Sequence, residues 1–263
     1  MTGDGAGPLE AALRANRDAG RKLLLPYVTG GLDERWTDVL RAVADAGADA
    51  VEIGIPFSDP AMDGPTIEAA SVRALARGTT PAGILADLAG VDAGVPLVAM
   101  TYYNLVFRAG ELRFARSLAD AGLAGCIVPD LPLEESASWE REAAAAGVDA
   151  VLLAAPVTPD ERLAEVAARS RGFVYAVSVM GITGARDRLA GTAAVLARRL
   201  KAVTDRPVVI GFGISTPEQA VEACEAADGV VVASALIRRL LDGGGPDEAA
   251  AFVGSLREAL DRG

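Results

Sequence analysis

Asp45-Ala46-Gly47-Ala48-Asp49-Ala50-Val51 is the stretch from which the fold can be read. The Ala-rich segment ahead of it favours a helix, and Gly47 suits the left-handed position that ends one. An apolar run starts two or three residues later. The same logic returns in Asp120-Ala121-Gly122-Leu123-Ala124-Gly125-Cys126 and in Ala145-Ala146-Gly147-Val148-Asp149-Ala150-Val151. The repeating unit is a helix, a glycine and a buried strand.

Working outward, strand-like runs fall at 22–29, 50–55, 95–102, 125–129, 149–154, 173–178, 207–211 and 229–233, each followed by a helical segment. Short continuous apolar runs alternating with helices imply a parallel sheet covered on both faces. Eight such units in a chain of this length predict a single (β/α)8 TIM barrel over residues 1–263. A doubly wound open sheet is the alternative. It would carry a glycine-rich nucleotide turn after its first strand, and Gly30-Gly31-Leu32-Asp33 does not have that spacing. Residues 8–19 read as an extra amphipathic N-terminal helix. Asp33 is expected to cap a helix running to about Ala46, and a C-terminal helix is expected over 247–261. No linker rich in Pro, Gly or Ser divides the chain.

The composition removes several functions. A net charge of −11 argues against nucleic acid and anionic membrane surfaces. No apolar run approaches the roughly 18 residues that cross a bilayer. Met1-Thr2-Gly3-Asp4-Gly5 lacks the features of a secretory signal, so the expected location is cytoplasmic. Cys126 and Cys224 are too few for a disulfide framework or a zinc site. The chain has no His, which removes Ser-His-Asp and Cys-His triads and every His-based metal site. Its only lysines, Lys22 and Lys201, do not lie at the carboxyl end of a strand, so Schiff-base chemistry has no candidate. Catalysis must rest on Asp, Glu, Tyr, Ser/Thr and the backbone.

Ala50 to Thr66 carries the strongest functional signal: Ala-Val-Glu-Ile-Gly-Ile-Pro-Phe-Ser-Asp-Pro-Ala-Met-Asp-Gly-Pro-Thr. Glu52 interrupts a buried strand, and a carboxylate is costly there. Facing the barrel interior, it would be desolvated and its pKa raised toward neutrality, which suits a general acid/base. The other reading ties Glu52 to a backbone donor or an arginine. Asp59 and Asp63 follow in the loop, and Tyr175 lies in strand 6. Ser178-Val179-Met180-Gly181-Ile182-Thr183-Gly184-Ala185-Arg186 either folds over a ligand or simply turns the chain. Gly211-Phe212-Gly213-Ile214-Ser215 after strand 7 and Ala233-Ser234 after strand 8 occupy the places where barrels bind phosphate; two tight turns are the plainer reading. Carboxylates beside a phosphate cup suit acid/base work on a phosphorylated small molecule.

Val51-Glu52-Ile53-Gly54-Ile55-Pro56-Phe57-Ser58-Asp59-Pro60 followed by Asp63-Gly64-Pro65-Thr66 resembles the signature of the tryptophan synthase α subunit family. The resemblance continues in Pro26-Tyr27-Val28-Thr29, Met100-Thr101-Tyr102-Tyr103-Asn104, Pro129-Asp130-Leu131-Pro132, Gly181-Ile182-Thr183-Gly184 and Gly211-Phe212-Gly213-Ile214-Ser215, together spanning roughly residues 25–240. It implies retro-aldol cleavage of indole-3-glycerol phosphate to indole and glyceraldehyde 3-phosphate, in which protonated indole is its own electron sink. It further implies Glu52 as the acid/base and Asp63 as the partner of the indole N–H. Tyr175, Tyr27, Phe212 and Thr183 would bind substrate, and Gly184, Gly213 and Ser234 its phosphate. The implied partner is a β subunit in an αββα heterotetramer, facing Pro56, Asp59 and the Gly181–Arg186 loop. The implied cofactor, pyridoxal phosphate, belongs to that partner, with none in this chain. Asp59 has a competing reading as a turn residue bonding its own backbone. Ala61-Met62 and Ser178-Val179-Met180 depart from the pattern, as does Ala233 where the family has Gly; a Cβ there is tolerated if φ is negative. Two further readings remain open, a stand-alone lyase of secondary metabolism and a weakly active activator of a β subunit.

Overall fold

The glycines read as helix stops all adopt positive φ, +104° at Gly47, +82° at Gly122 and +77° at Gly147. The computed structural model describes residues 6–177, 186–211 and 213–263, with 186–190 as backbone only. Each of those glycines releases the chain into a strand. The strands are β1 (Leu23–Thr29), β2 (Val51–Gly54), β3 (Leu97–Met100), β4 (Leu123–Ile127), β5 (Asp149–Ala154), β6 (Val174–Val177), β7 (Val208–Gly211) and β8 (Gly229–Val232). All pair in parallel in sequence order, and β8 pairs with β1, so the sheet closes into the (β/α)8 TIM barrel and not a doubly wound sheet.

The helices among the described residues begin with α1 (Pro8–Asp18), α2 (Trp36–Asp45), α3 (Pro65–Ala76), α4 (Pro81–Leu88), α5 (Tyr103–Ala109) and α6 (Glu111–Asp120). They continue with α7 (Ala137–Ala145), α8 (Asp160–Arg169), α9 (Arg186–Lys201), α10 (Pro217–Cys224), α11 (Ser234–Leu241) and α12 (Pro246–Arg262). The Thr-Pro pairs set two starts. Thr80 and Thr216 accept from the backbone N–H of Gly83 and Gln219, with Pro81 and Pro217 at the first helical position. The C-terminal α12 packs across α2 and α10.

Two local expectations are corrected. Strand 4 is Leu123–Ile127, not 125–129, because Leu123 already pairs with Leu97 and the register shifts between Leu97 and Val98. Asp33 does not cap α2. Its side chain accepts from the Arg35 N–H at 2.8 Å, closing a local turn, and Arg35 takes the cap position without a side-chain bond.

Inward side chains of the strands, among them Leu23, Leu25, Val98, Val151, Val209 and Val231, form the barrel core together with Leu9 and Leu13 of α1. Helix α1 thereby plugs the amino-terminal end. Aspartates at the strand starts tie that end down. Asp49 accepts from the Leu24 N–H at 2.8 Å, Asp228 from the Val208 N–H at 2.9 Å and Asp149 from the Glu10 N–H at 3.0 Å. Both lysines serve there too: Lys22 donates to the Cys224 carbonyl at 2.6 Å, and Lys201 pairs with Asp228. Cys126 and Cys224 are free and buried, and burial pushes both thiols up. The carboxyl end of the barrel is left for chemistry.

Candidate active site

Side chains alternate along β2, so Ala50 and Glu52 share the inward face. Glu52 is 1 % exposed, and its Oε2 has no hydrogen-bond partner among the described residues. Among the described residues no arginine or backbone donor bonds that oxygen. Burial, and then the charge of Asp63, push its carboxyl up to about 8.

The loop after β2 brings Asp63 over the mouth. Backbone bonds from Ala61 to the Asp59 carbonyl at 2.9 Å and from Asp63 to the Pro60 carbonyl at 3.0 Å fold it into tight turns. Asp63 is half-buried. Burial raises its carboxyl to about 6, opposed by a hydrogen bond from the Tyr102 hydroxyl. Asp59 is exposed and accepts from the Ser58 hydroxyl at 2.5 Å, not from its own backbone; Pro56 is buried.

Tyr27 on β1 is the lateral partner of Glu52 on β2. Tyr175 on β6 approaches from the other side, and both rings are buried. Burial is the main cause raising both phenols; next come Asp63 for Tyr27 and Glu52 for Tyr175. The structure thus gathers Tyr27, Glu52, Asp63 and Tyr175 into one electrostatically coupled group at the carboxyl end.

The proposed phosphate positions lie beyond β7 and β8, which are paired neighbours. Gly213 is exposed at φ +33°, with no atom of the described residues within 4 Å of where a Cβ would stand. Ser234 is exposed at the first position of α11. Ala233 sits before it at φ −113°, a negative value that accommodates its Cβ. Thr183, Gly184, Phe212 and the rest of the 178–185 loop lie outside the described residues.

Sequence reasoning passed over Tyr102 and Thr29 as site residues, although both stand in quoted motifs at the carboxyl ends of strands. Thr29 is fully buried at the end of β1, and Tyr102 bonds the Asp63 loop. Position at a strand end was the available signal. Both lysines sit at the opposite end, so neither can form a Schiff base at this mouth.

Fold and site together define a (β/α)8-barrel enzyme with two neighbouring carboxyls, both raised by burial, at its carboxyl-terminal mouth. A family model described as tryptophan synthase alpha chain matches residues 13–256. The tryptophan synthase alpha chain of Streptomyces coelicolor is 43 % identical over 262 residues, covering 96 % of this chain and 94 % of that one. A chain of Mycobacterium tuberculosis tryptophan synthase superposes with a TM-score of 0.89 at 39 % identity, covering 97 % of this chain and 99 % of the other. The alpha chain from Legionella pneumophila gives 0.87 at 30 % identity, with 98 % of each chain covered. This chain belongs to the tryptophan synthase alpha chain family. It is a lyase of tryptophan biosynthesis that cleaves indole-3-glycerol phosphate to indole and glyceraldehyde 3-phosphate. No described helix is long and apolar enough to cross a membrane.

Proposed function

We propose that Glu52 is the acid/base of this cleavage and Asp63 the partner of the indole N–H. Tyr27, Tyr175, Phe212 and Thr183 bind the rest of the substrate, and Gly184, Gly213 and Ser234 hold its phosphate. The observation that carries the reading is the Glu52 carboxyl, buried inside the barrel, with no partner for Oε2 among the described residues and pushed up to about 8. Protonated at neutral pH, Glu52 delivers its proton to C3 of indole. Positive charge builds on the ring nitrogen, and Asp63, ionised above about 6, stabilises it through the N–H. The bond from C3 to the glycerol carbon then breaks, and its electrons return to the ring. The hydroxyl on that carbon becomes the aldehyde and gives its proton to the Glu52 carboxylate. One proton enters, one leaves, and Glu52 ends as it began. Preorganised charge of this kind contributes about 3 kcal/mol per group.

The reading places the chain in the cytoplasm with no cofactor of its own, joined to a pyridoxal-phosphate β subunit in an αββα heterotetramer. Asp59, beside the buried Pro56, faces outward from the β2 loop. Exposed apolar side chains in the segments that follow neighbouring strands, Met62 after β2, Phe107 on α5 after β3 and Val157 after β5, support a surface that a partner covers.

Indole release from indole-3-glycerol phosphate, with and without a tryptophan synthase β subunit, tests the assembly. Slow release that β accelerates is the expected result. Fast release without β would make the chain a free-standing lyase, and none in either case a mere activator. Glu52→Gln tests the chemistry, and near-normal turnover by that variant would overturn the role given to Glu52.

A further inference from the structure

Tyr102 stands just past β3, buried at 5 % exposure. Its ring stacks on Phe57 of the β2 loop, with centroids 5.2 Å apart and 25° between the planes. Its hydroxyl oxygen accepts from the Met62 N–H at 3.0 Å, which fastens it to the residue next to Asp63. A phenol has one proton. With Met62 donating into its oxygen, that proton is available to the Asp63 carboxylate. On the other side, the Tyr103 N–H donates to Asp130 Oδ1 at 2.8 Å, which pins the first turn of α5 to the loop after β4. Tyr102 is thus held from the β4 loop and in turn grips the backbone of the β2 loop beside Asp63.

We propose that Tyr102 is the positioning residue for Asp63: it fixes the 61–63 turn over the barrel mouth and turns its one hydroxyl proton toward the Asp63 carboxylate, with Asp130 anchoring it from the β4 loop. The proposal rests on Asp63 being the partner of the indole N–H. A donor to the charged form of a carboxyl lowers its pKa, so Tyr102 counteracts the burial that raises Asp63. Without that donor, the pH range in which Asp63 is charged while Glu52 is protonated would narrow from its acid side.

The test is the pH profile of kcat/KM for indole release, measured on the wild type, Tyr102→Phe, Asp63→Asn and the double variant. Tyr102→Phe keeps the ring on Phe57 and removes only the hydroxyl. The acid limb should move up by about one pH unit while the limb set by Glu52 stays in place. Activity should then fall about fivefold at pH 6 and about twofold at pH 7. In the Asp63→Asn background, the same change should add no further loss. Asp130→Asn, at an exposed position, should move the acid limb in the same direction by less, and this holds the proposal to account if Tyr102→Phe folds poorly. An unmoved acid limb, or a full additional loss in the double variant, would overturn the positioning role. Wild-type activity in Asp63→Asn would instead bring down the reading of Asp63 on which it rests.

Discussion

Gly54 lies so close beneath Tyr27 that a Cβ on it would stand 1.7 Å from the Tyr27 hydroxyl oxygen. Tyr27 pairs with Glu52 and leans over the residue two places further along β2. The barrel repeats this diagonal at β6 and β7. There Tyr175 pairs with Val209 and leans over Gly211, where a Cβ would stand 2.1 Å from Tyr175 Cε2. Each glycine lets a tyrosine cross the barrel mouth beside the carboxyl group.

Gly54→Ala should therefore act through Tyr27. The ring is buried and has little room to retreat, so overpacking is expected to destabilise the fold by about 1–3 kcal/mol. Displacement of the tyrosine should also lower kcat/KM by more than tenfold, since misplaced groups near a reacting centre are costly. Adding Tyr27→Leu should restore the denaturation midpoint more than the activity. Recovery of both together would detach Tyr27 from substrate binding.

The two carboxyls set opposite limbs of the rate. Asp63 at about 6 must be charged, and Glu52 at about 8 must be protonated. The profile of kcat/KM against pH should be a bell that falls below about 6 and above about 8. Glu52→Gln, which cannot give up a proton, should lose about 10²- to 10⁴-fold at every pH. A profile flat from pH 5 to 9 would contradict both assignments.

The same group should leave a mark on stability. Glu52 is raised from an ordinary 4.5 to about 8 in the fold, so between those values the folded chain holds a proton that the unfolded chain has released. Its stabilising contribution is complete below 4.5 and is lost as the pH rises toward about 8. Glu52→Gln carries no such charge and should be more stable than the wild type by about 4 kcal/mol at pH 8, with the gap closing toward pH 5. Urea midpoints at the two pH values measure it. A gap that widens on acidification would mean that Glu52 is ionised inside the fold.

Local patterning makes most of this architecture legible. The glycines at 47, 122 and 147 mark the helix stops, and the apolar runs mark the strands, because both signals depend on neighbours in the chain. Glu52 is legible for the converse reason, as a charge where the pattern demands none. What escaped depends on residues far apart in sequence. The shift of β4 to Leu123 is set by pairing with Leu97, and Asp33 trades a helix cap for a local turn. The hold of Tyr102 on Met62 spans 40 positions, and nothing in the periodicity around either residue announces it.

The far end of the barrel should be separable from the chemistry. Leu9 of α1 fills the space left by two missing side chains: a Cβ on Gly125 or on Gly172 would each stand 2.6 Å from its Cδ2. Leu9→Ala would leave a cavity whose walls include those glycines, with no side chains there to swing in. The loss should fall toward the upper part of the usual range for such truncations, about 3–5 kcal/mol. Glu52 and Asp63 lie at the opposite mouth, so kcat/KM should change less than about twofold where the variant is folded, as expected for distant sites. Urea unfolding and indole release on the same preparation measure the two effects. A large fall in kcat/KM with the fold intact would show that α1 shapes the active site as well as closing the barrel.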